Sequence, residues 1–205
     1  MPSAEVAQPT DQREEKRRRI LRAAIDEFAR KGYFSTRMAD VAKSAAVADG
    51  TLYLYFEGKE HLLISIFDDV LSRAIAHAHA EIEGIASPLE KLRVVLRLHL
   101  ETLADDRALA HVLQIETRHS RRFMNLLTRG RLGDYLELLR ALVADGQSVG
   151  EIRRDVSAGF ATNVIFGSVD EIVNSWLLTD EHGDLVRFLD PLMDFLANGM
   201  CLRSA

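Results

Sequence analysis

The chain predicts an all-α protein: an N-terminal three-helix head and a C-terminal helical body, about nine helices in all. Three observations predict it. Apolar residues recur at three- and four-residue spacing along most of the 205 residues. The β-branched alternation that marks strands is missing. Proline is scarce, at four residues, and glycine is not enriched, so few breakers interrupt the helices.

Residues 1–11 are polar and aperiodic and are expected to be disordered. A first helix is expected from about Gln12 to Lys31, with Leu21, Ala24, Ile25 and Phe28 as its buried stripe and Gly32 as its end. Thr36 is placed to cap a second helix whose apolar face is Met38, Val41, Ala42 and Ala45. Ala45 and Ala46 keep bulk low where two helices approach, and Asp49 and Gly50 punctuate before a third helix, which Asp49 caps. In that helix Leu52 and Phe56, four apart, point inward. Tyr53 and Leu54 point elsewhere and Tyr55 lies at the margin. A fourth helix runs from about Lys59 to Glu83, stopped by Gly84 and Pro88, and the boundary between head (1–59) and body (60–205) is placed along it.

Pro88 opens the next helix, apolar on most sides through Leu89, Leu92, Val95, Leu96, Leu98 and Leu103. Further helices are expected over 107–120, onward to Gly146, and over 155–179 and 184–202, with a turn around Gly146 and Gly150. The last two carry broad apolar surfaces. Phe166, Val169 and Ile172 on one, with Leu189, Leu192 and Phe195 on the other, suit a two-fold four-helix interface between copies.

Net charge is −5, but its distribution matters more. Residues 1–59 carry 11 Lys and Arg against 9 Asp and Glu, most densely at Arg13, Lys16, Arg17, Arg18, Arg19 and Arg22. The acidic excess lies in the remainder. Phosphate binding needs local positive charge rather than a basic protein overall. The single Cys201 has no disulfide partner and reads as a packing residue. No leader or apolar run of membrane length is present, so the chain reads as cytoplasmic.

Residues 36–60 carry the strongest functional signal: two short helical patterns flank a tight small-residue turn, and the second exposes tyrosines. That is the arrangement of a helix-turn-helix, which lays its second helix in the DNA major groove. Phenol hydroxyls can donate to phosphates and Leu54 can meet a thymine methyl. Lys59 begins a helix whose free first-turn amides, with its ammonium, suit a phosphate. The stretch Val47-Ala48-Asp49-Gly50-Thr51-Leu52-Tyr53-Leu54-Tyr55-Phe56 resembles the DNA-binding signature of TetR-type regulators. So do Lys59-Glu60, Leu62-Leu63, and the preceding Ile20, Ala23-Ala24, Phe28, Gly32-Tyr33, Thr36 and Val41-Ala42. The resemblance implies a homodimeric repressor of a palindromic double-stranded DNA operator, with contacts from Thr36, Arg37, Lys43, Ala48, Asp49, Gly50, Thr51, Tyr53, Leu54, Tyr55 and Lys59.

Residues 113–122 and 165–171, then Trp176, are similar to TetR-type repressors of fatty-acid degradation, the FadR-like kind. That similarity implies a long-chain acyl-CoA effector, no cofactor, and release from DNA when the effector binds. The chemistry is coherent: leucine-rich helices can line a tunnel, and arginine forks suit the phosphates of coenzyme A. Arg118, Arg121 and Arg122 are expected at the mouth, with Gln114 and Thr117 on the thioester or pantetheine amides. Asp170 and Asn174, one turn apart, either face the ligand or pair with Arg118. Trp176 joins this set. The alternatives are a regulator of another lipophilic ligand, such as a drug-efflux repressor, and a helical interaction protein without DNA. An enzyme is disfavoured: seven histidines lack a nucleophile signature, and no glycine-rich phosphate motif or metal-ligand spacing is present.

Overall fold

The computed structural model describes residues 9–116, 127–179 and 183–200, and every regular element among them is helical. The chain forms two compact units, Met1–Ile66 and Phe67–Ala205. The division falls inside a long helix, beyond its start at Lys59.

The first unit holds α1 (Pro9–Lys31), α2 (Met38–Ser44), α3 (Asp49–Tyr53) and the beginning of α4 (Lys59–Glu81). α1 opens at Pro9 rather than Gln12, since a proline is tolerated in a first turn, so residues 9–11 extend the helix instead of a disordered tail. Its stripe of Ile20, Leu21, Ala24, Ile25 and Phe28 is buried, as are Val41 and Ala42 of α2, which packs on it, and Ala45, Leu52, Phe56, Leu62 and Leu63 beyond them. Gly32 ends α1 with a left-handed φ of 80° while its amide bonds the Phe28 carbonyl. Thr36 does not cap α2. Arg37 occupies the cap position, and its amide donates to the Asp40 carboxylate at 3.0 Å, which with Lys31 holds that carboxyl below its ordinary pKa. The turn between α2 and α3 passes through Ala46 at φ 53°, left-handed without a glycine. That conformation costs roughly 1 kcal/mol and persists because Ala45 and Val47 are tied to the Val41 and Ala42 carbonyls on either side.

The second unit adds α5 (Pro88–Asp105), α6 (Arg107–His111), a π-helical turn (Val112–Glu116), α7 (Arg131–Val149), α8 (Ala158–Leu178), a 3-10 turn (Leu185–Phe188) and α9 (Leu189–Met200). Ser87 caps α5 ahead of Pro88, and Glu151 accepts from both the Ser87 hydroxyl and the Leu89 amide, which fixes the α5 start to the end of α7. α5, α7 and α8 form the main layers, and α9 packs on α5 and α8. The continuous last helix expected from 184 is divided: Pro191 has no N–H for the Arg187 carbonyl, so the chain enters α9 through a 3-10 turn capped by Asp184.

Gly146 lies within α7 rather than in the turn that follows. The turn is made by Gly150 at φ 83°. A Cβ on Gly146 would meet Ile152 Cδ1 at 2.7 Å and Cγ1 at 2.9 Å, and Ile152 is itself buried. Gly146→Ala is therefore expected to destabilise the second unit by about 1–3 kcal/mol, because overpacking outweighs the gain in helix propensity. The urea midpoint of Trp176 fluorescence reads it: a variant as stable as the parent would show that Ile152 can move aside.

Candidate nucleic-acid interface and ligand cavity

The exposed surface of the first unit gathers most of the residues expected to meet DNA. Arg37, Lys43, Ala48, Asp49, Gly50, Tyr53 and Leu54 are exposed, and Thr51 and Tyr55 are half-buried. Leu54, at 78% exposed, and Tyr53, at 55%, project from an element whose other face, Leu52 and Phe56, is sealed in the core. An exposed leucine beside an exposed tyrosine gains nothing from water and is suited to a groove floor and its phosphate edge. The guanidinium of Arg13 lies 5.8 Å from the Tyr55 ring centre and that of Arg17 lies 5.9 Å from the Phe56 ring, so the basic end of α1 stands beside the reading motif. Phe34, 70% exposed in the loop before α2, escaped the sequence reading. An aromatic directly after the helix-ending Gly32-Tyr33 is the signal that could have drawn notice.

Two expected contacts, Thr36 and Lys59, have other tasks, and one expected cap, Asp49, is not a cap. Thr36 is buried, its hydroxyl donating to the carbonyls of Gly32 at 2.8 Å and Glu27 at 3.1 Å, so it braces the α1–α2 loop and has no side-chain path to a phosphate. Lys59 donates to the carbonyls of Tyr33 at 2.6 Å, Thr36 at 2.9 Å and Phe34 at 3.0 Å, and its ammonium lies 4.6 Å from the Tyr33 ring centre. All three ammonium protons are thus directed to loop carbonyls rather than to a phosphate. Asp49 does not cap α3. Ala48 holds the cap position in extended conformation, without a side-chain bond, and Asp49 occupies the exposed first turn.

The second unit contains a cavity of about 300 Å³. Its walls are Phe67 and Leu71 of α4, His99 and Leu103 of α5, Leu113 and Gln114 of the π-helical turn, Leu127, Leu132 and Tyr135 around the start of α7, and Phe166 and Asp170 of α8. The π turn stands where a regular helix was expected to continue to residue 120, and such a widened turn sets both Leu113 and Gln114 on the cavity. Polar groups are few. His99 Nδ1 and the Tyr135 hydroxyl share a hydrogen bond of 2.9 Å, with the rings edge to face. Burial pushes the His99 imidazole down to about 4, against a weaker upward pull from the Asp170 charge, and burial pushes the Tyr135 phenol up. Both are therefore neutral at physiological pH.

Of the expected effector contacts, Gln114 and Asp170 are brought together at this cavity. Thr117, Arg118, Arg121 and Arg122 lie outside the described residues, as does Cys201. Asn174 is half-buried and is not among the cavity walls. Trp176 is committed to the core: its indole N–H donates to the Gly183 carbonyl at 2.8 Å, and Arg107 stacks 4.6 Å over its ring while donating to the Leu177 and Thr179 carbonyls.

The expected interface residues also divide. Val169 and Leu189 are buried within the unit, and Phe166 faces the cavity with its ring near His99 and Tyr135. Ile172 and Phe195 instead line an open groove between α8, the 3-10 turn and α9, together with Val164, Gly167, Phe188 and Pro191, and Leu192 lies at its floor, itself buried. Phe195 is 72% exposed, and Phe160 and Leu178 add to the apolar surface of α8.

The tetR family of bacterial regulatory proteins matches residues 20–66, and the family of the YsiA-like protein C-terminal region matches residues 67–199. The chain is 35% identical over 189 residues to the fatty acid metabolism regulator protein of Bacillus subtilis strain 168, covering 92% of this chain and 97% of that protein. It is similar to the fatty acid degradation regulator FadR of Bacillus halodurans, with a TM-score of 0.86 and 33% identity over 98% of this chain and all of that one. It is likewise similar to FadR of Bacillus subtilis in complex with stearoyl-CoA, with a TM-score of 0.85 and 34% identity over 89% of this chain and 98% of that one. Matched through both of its units, the chain belongs to the tetR family of bacterial regulatory proteins.

Proposed function

We propose that this chain is a DNA-binding repressor of fatty-acid degradation genes that long-chain acyl-CoA releases from a palindromic operator. It is a regulator and not an enzyme. The observation that carries the reading is the cavity of the second unit: a chamber of mostly Leu and Phe walls with a few polar groups suits an alkyl chain with a polar attachment. The stearoyl-CoA bound by the similar Bacillus subtilis protein fits that chemistry.

In this reading Tyr53, Tyr55, Arg37 and Lys43 meet phosphates, and Leu54 with Ala48, Gly50 and Thr51 approaches the bases. Gln114 and Asp170 meet the polar part of the effector. The head is 1–59 in role, and the remainder binds effector and dimerises. The groove of Ile172, Leu192 and Phe195 supplies the homodimer surface, since one short reading helix binds weakly and two, roughly 34 Å apart, read a palindrome. α4 begins in the unit that reads DNA and goes on to contribute Phe67 and Leu71 to the cavity wall, so effector occupancy acts directly on the helix that joins the two. No helix among the described residues is long and apolar enough to cross a membrane, and the site of action is the cytoplasm, where the DNA is.

The test is a gel shift on palindromic DNA selected by the protein itself, titrated with stearoyl-CoA. Release of the DNA at saturating effector is expected. Operator affinity unchanged at saturation rejects the effector, and binding that does not weaken with rising salt rejects the phosphate contacts.

A further inference from the structure

The main chamber has a neighbour on the far side of its polar pair. A second, smaller space of about 50 Å³ shares Leu71, His99, Leu103, Leu113 and Tyr135 with it, so a large room and an annex adjoin across these side chains, which mark the waist between them. The annex is walled by Val70, Ala74 and Ala78 of α4 and by Val95, Leu98 and Thr102 of α5. Thr102 turns its hydroxyl to the Leu98 carbonyl at 2.8 Å, which leaves its methyl as the group a ligand meets. Among the described residues, no charged group stands on the wall beyond the waist.

We infer that the annex takes the methyl end of the effector's alkyl chain, and that Ala74 and Ala78 set the longest chain the protein accepts. The inference rests on the acyl-CoA reading and adds a chain-length gauge to it. Direction follows from polarity. Gln114 and Asp170 belong to the large room and are absent from the annex, so a chain whose polar end lies with them has only its hydrocarbon end to send past His99 and Tyr135. Size follows from the residues: Ala74 and Ala78 sit one turn apart on the same face of α4, where any longer side chain would occupy the space. A volume of about 50 Å³ is the room of roughly two water-sized groups, hence one or two methylenes. Each methylene moved from water into such a space gains about fourfold in affinity.

The experiment measures the binding of saturated acyl-CoAs of even length, from decanoyl to eicosanoyl, by calorimetry on the intact protein, with operator affinity measured alongside. In the parent, affinity should climb with length and then stop at a limit. Ala74→Leu should lower that limit by about two carbons, costing the longest chains about 10- to 20-fold while shorter chains bind as before. Val95→Ala, which opens the opposite wall, should raise the limit. Opposite shifts from two apolar changes are not an outcome of general damage. Both variants keeping the parent's limit, or losing every chain length alike, overturns the gauge. A parent that binds none of the series overturns the acyl-CoA reading itself, and the gauge with it.

Discussion

Lys59→Ala is expected to unfold the DNA-reading unit well before the rest of the protein. The ammonium holds three carbonyls, of Tyr33, Phe34 and Thr36, within 2.6 to 3.0 Å, and lies over the Tyr33 ring. Those carbonyls sit in the loop that connects α1 to α2, and a loop without a regular ladder has few other partners for them. Hydrogen bonds to a charged group contribute about 1.5–3 kcal/mol each and are not additive, so a combined loss of about 2–4 kcal/mol is the reasonable scale for the head. A phosphate ligand would behave otherwise. Its loss would leave stability unchanged and reduce the salt dependence of DNA binding by about one charge per head. Circular dichroism of the whole chain, with Trp176 fluorescence as an internal reference, separates the two. Trp176 is the only tryptophan and lies in the second unit, so its transition should stay where it is while the helical signal gains an earlier step. An unchanged helical transition with a flatter salt slope would return Lys59 to the phosphate. Lys59→Arg should rescue little, because a planar guanidinium cannot place three donors as a tetrahedral ammonium does.

Lys59 also shows where the sequence stops being informative. Its residue type and its place at a helix start read as an anion site, but the carbonyls that take it are 23 to 26 residues earlier in the chain. Thr36 fails for the same reason: a threonine before a helix reads as a cap until Gly32 and Glu27 are seen to accept its hydroxyl. Periodicity did better, because burial is set by the helix face itself. Leu52 and Phe56 are sealed and Tyr53 and Leu54 exposed, as four-residue spacing requires. An apolar residue off the stripe is the exception that periodicity marks but composition hides. Leu189 and Phe195 are both apolar residues of α9, yet one is 4% and the other 72% exposed. The cavity is less legible still. Its Leu and Phe walls are of the same residue types that fill a core, and only packing shows that they leave a space.

The second large effect is a pH dependence that belongs to one residue. His99 is neutral in the folded protein because burial beside Tyr135 pushes its imidazole down to about 4, with Asp170 opposing weakly. In the unfolded chain a histidine titrates near 6.5. The group is a base whose folded value is depressed, so as pH falls below 6.5 the unfolded chain takes up a proton that the fold still refuses. Stability from this source is complete above about pH 6.5, falls between pH 6.5 and 4, and is fully lost below about 4. At about 1.4 kcal/mol per unit the whole loss is about 3 kcal/mol, of which about 2 kcal/mol has gone by pH 5. His99→Gln keeps a partner for the Tyr135 hydroxyl and cannot titrate. It should be about 1–2 kcal/mol less stable than the parent at pH 7.5 through imperfect fit, yet close to it at pH 5, because only the parent pays the protonation penalty. Contributions from groups that do not interact with His99 are common to both proteins and cancel in the difference. Urea unfolding followed at Trp176 reports on the unit that holds His99. If parent and variant lose the same stability between pH 7.5 and 5, the imidazole is reaching water in the fold and the cavity is wetter than its walls imply. A difference that closes as pH falls fixes His99 as a neutral hydrogen-bonding group, and a neutral pair of His99 and Tyr135 adds no charge to the apolar wall it shares with Leu71, Leu103 and Leu113.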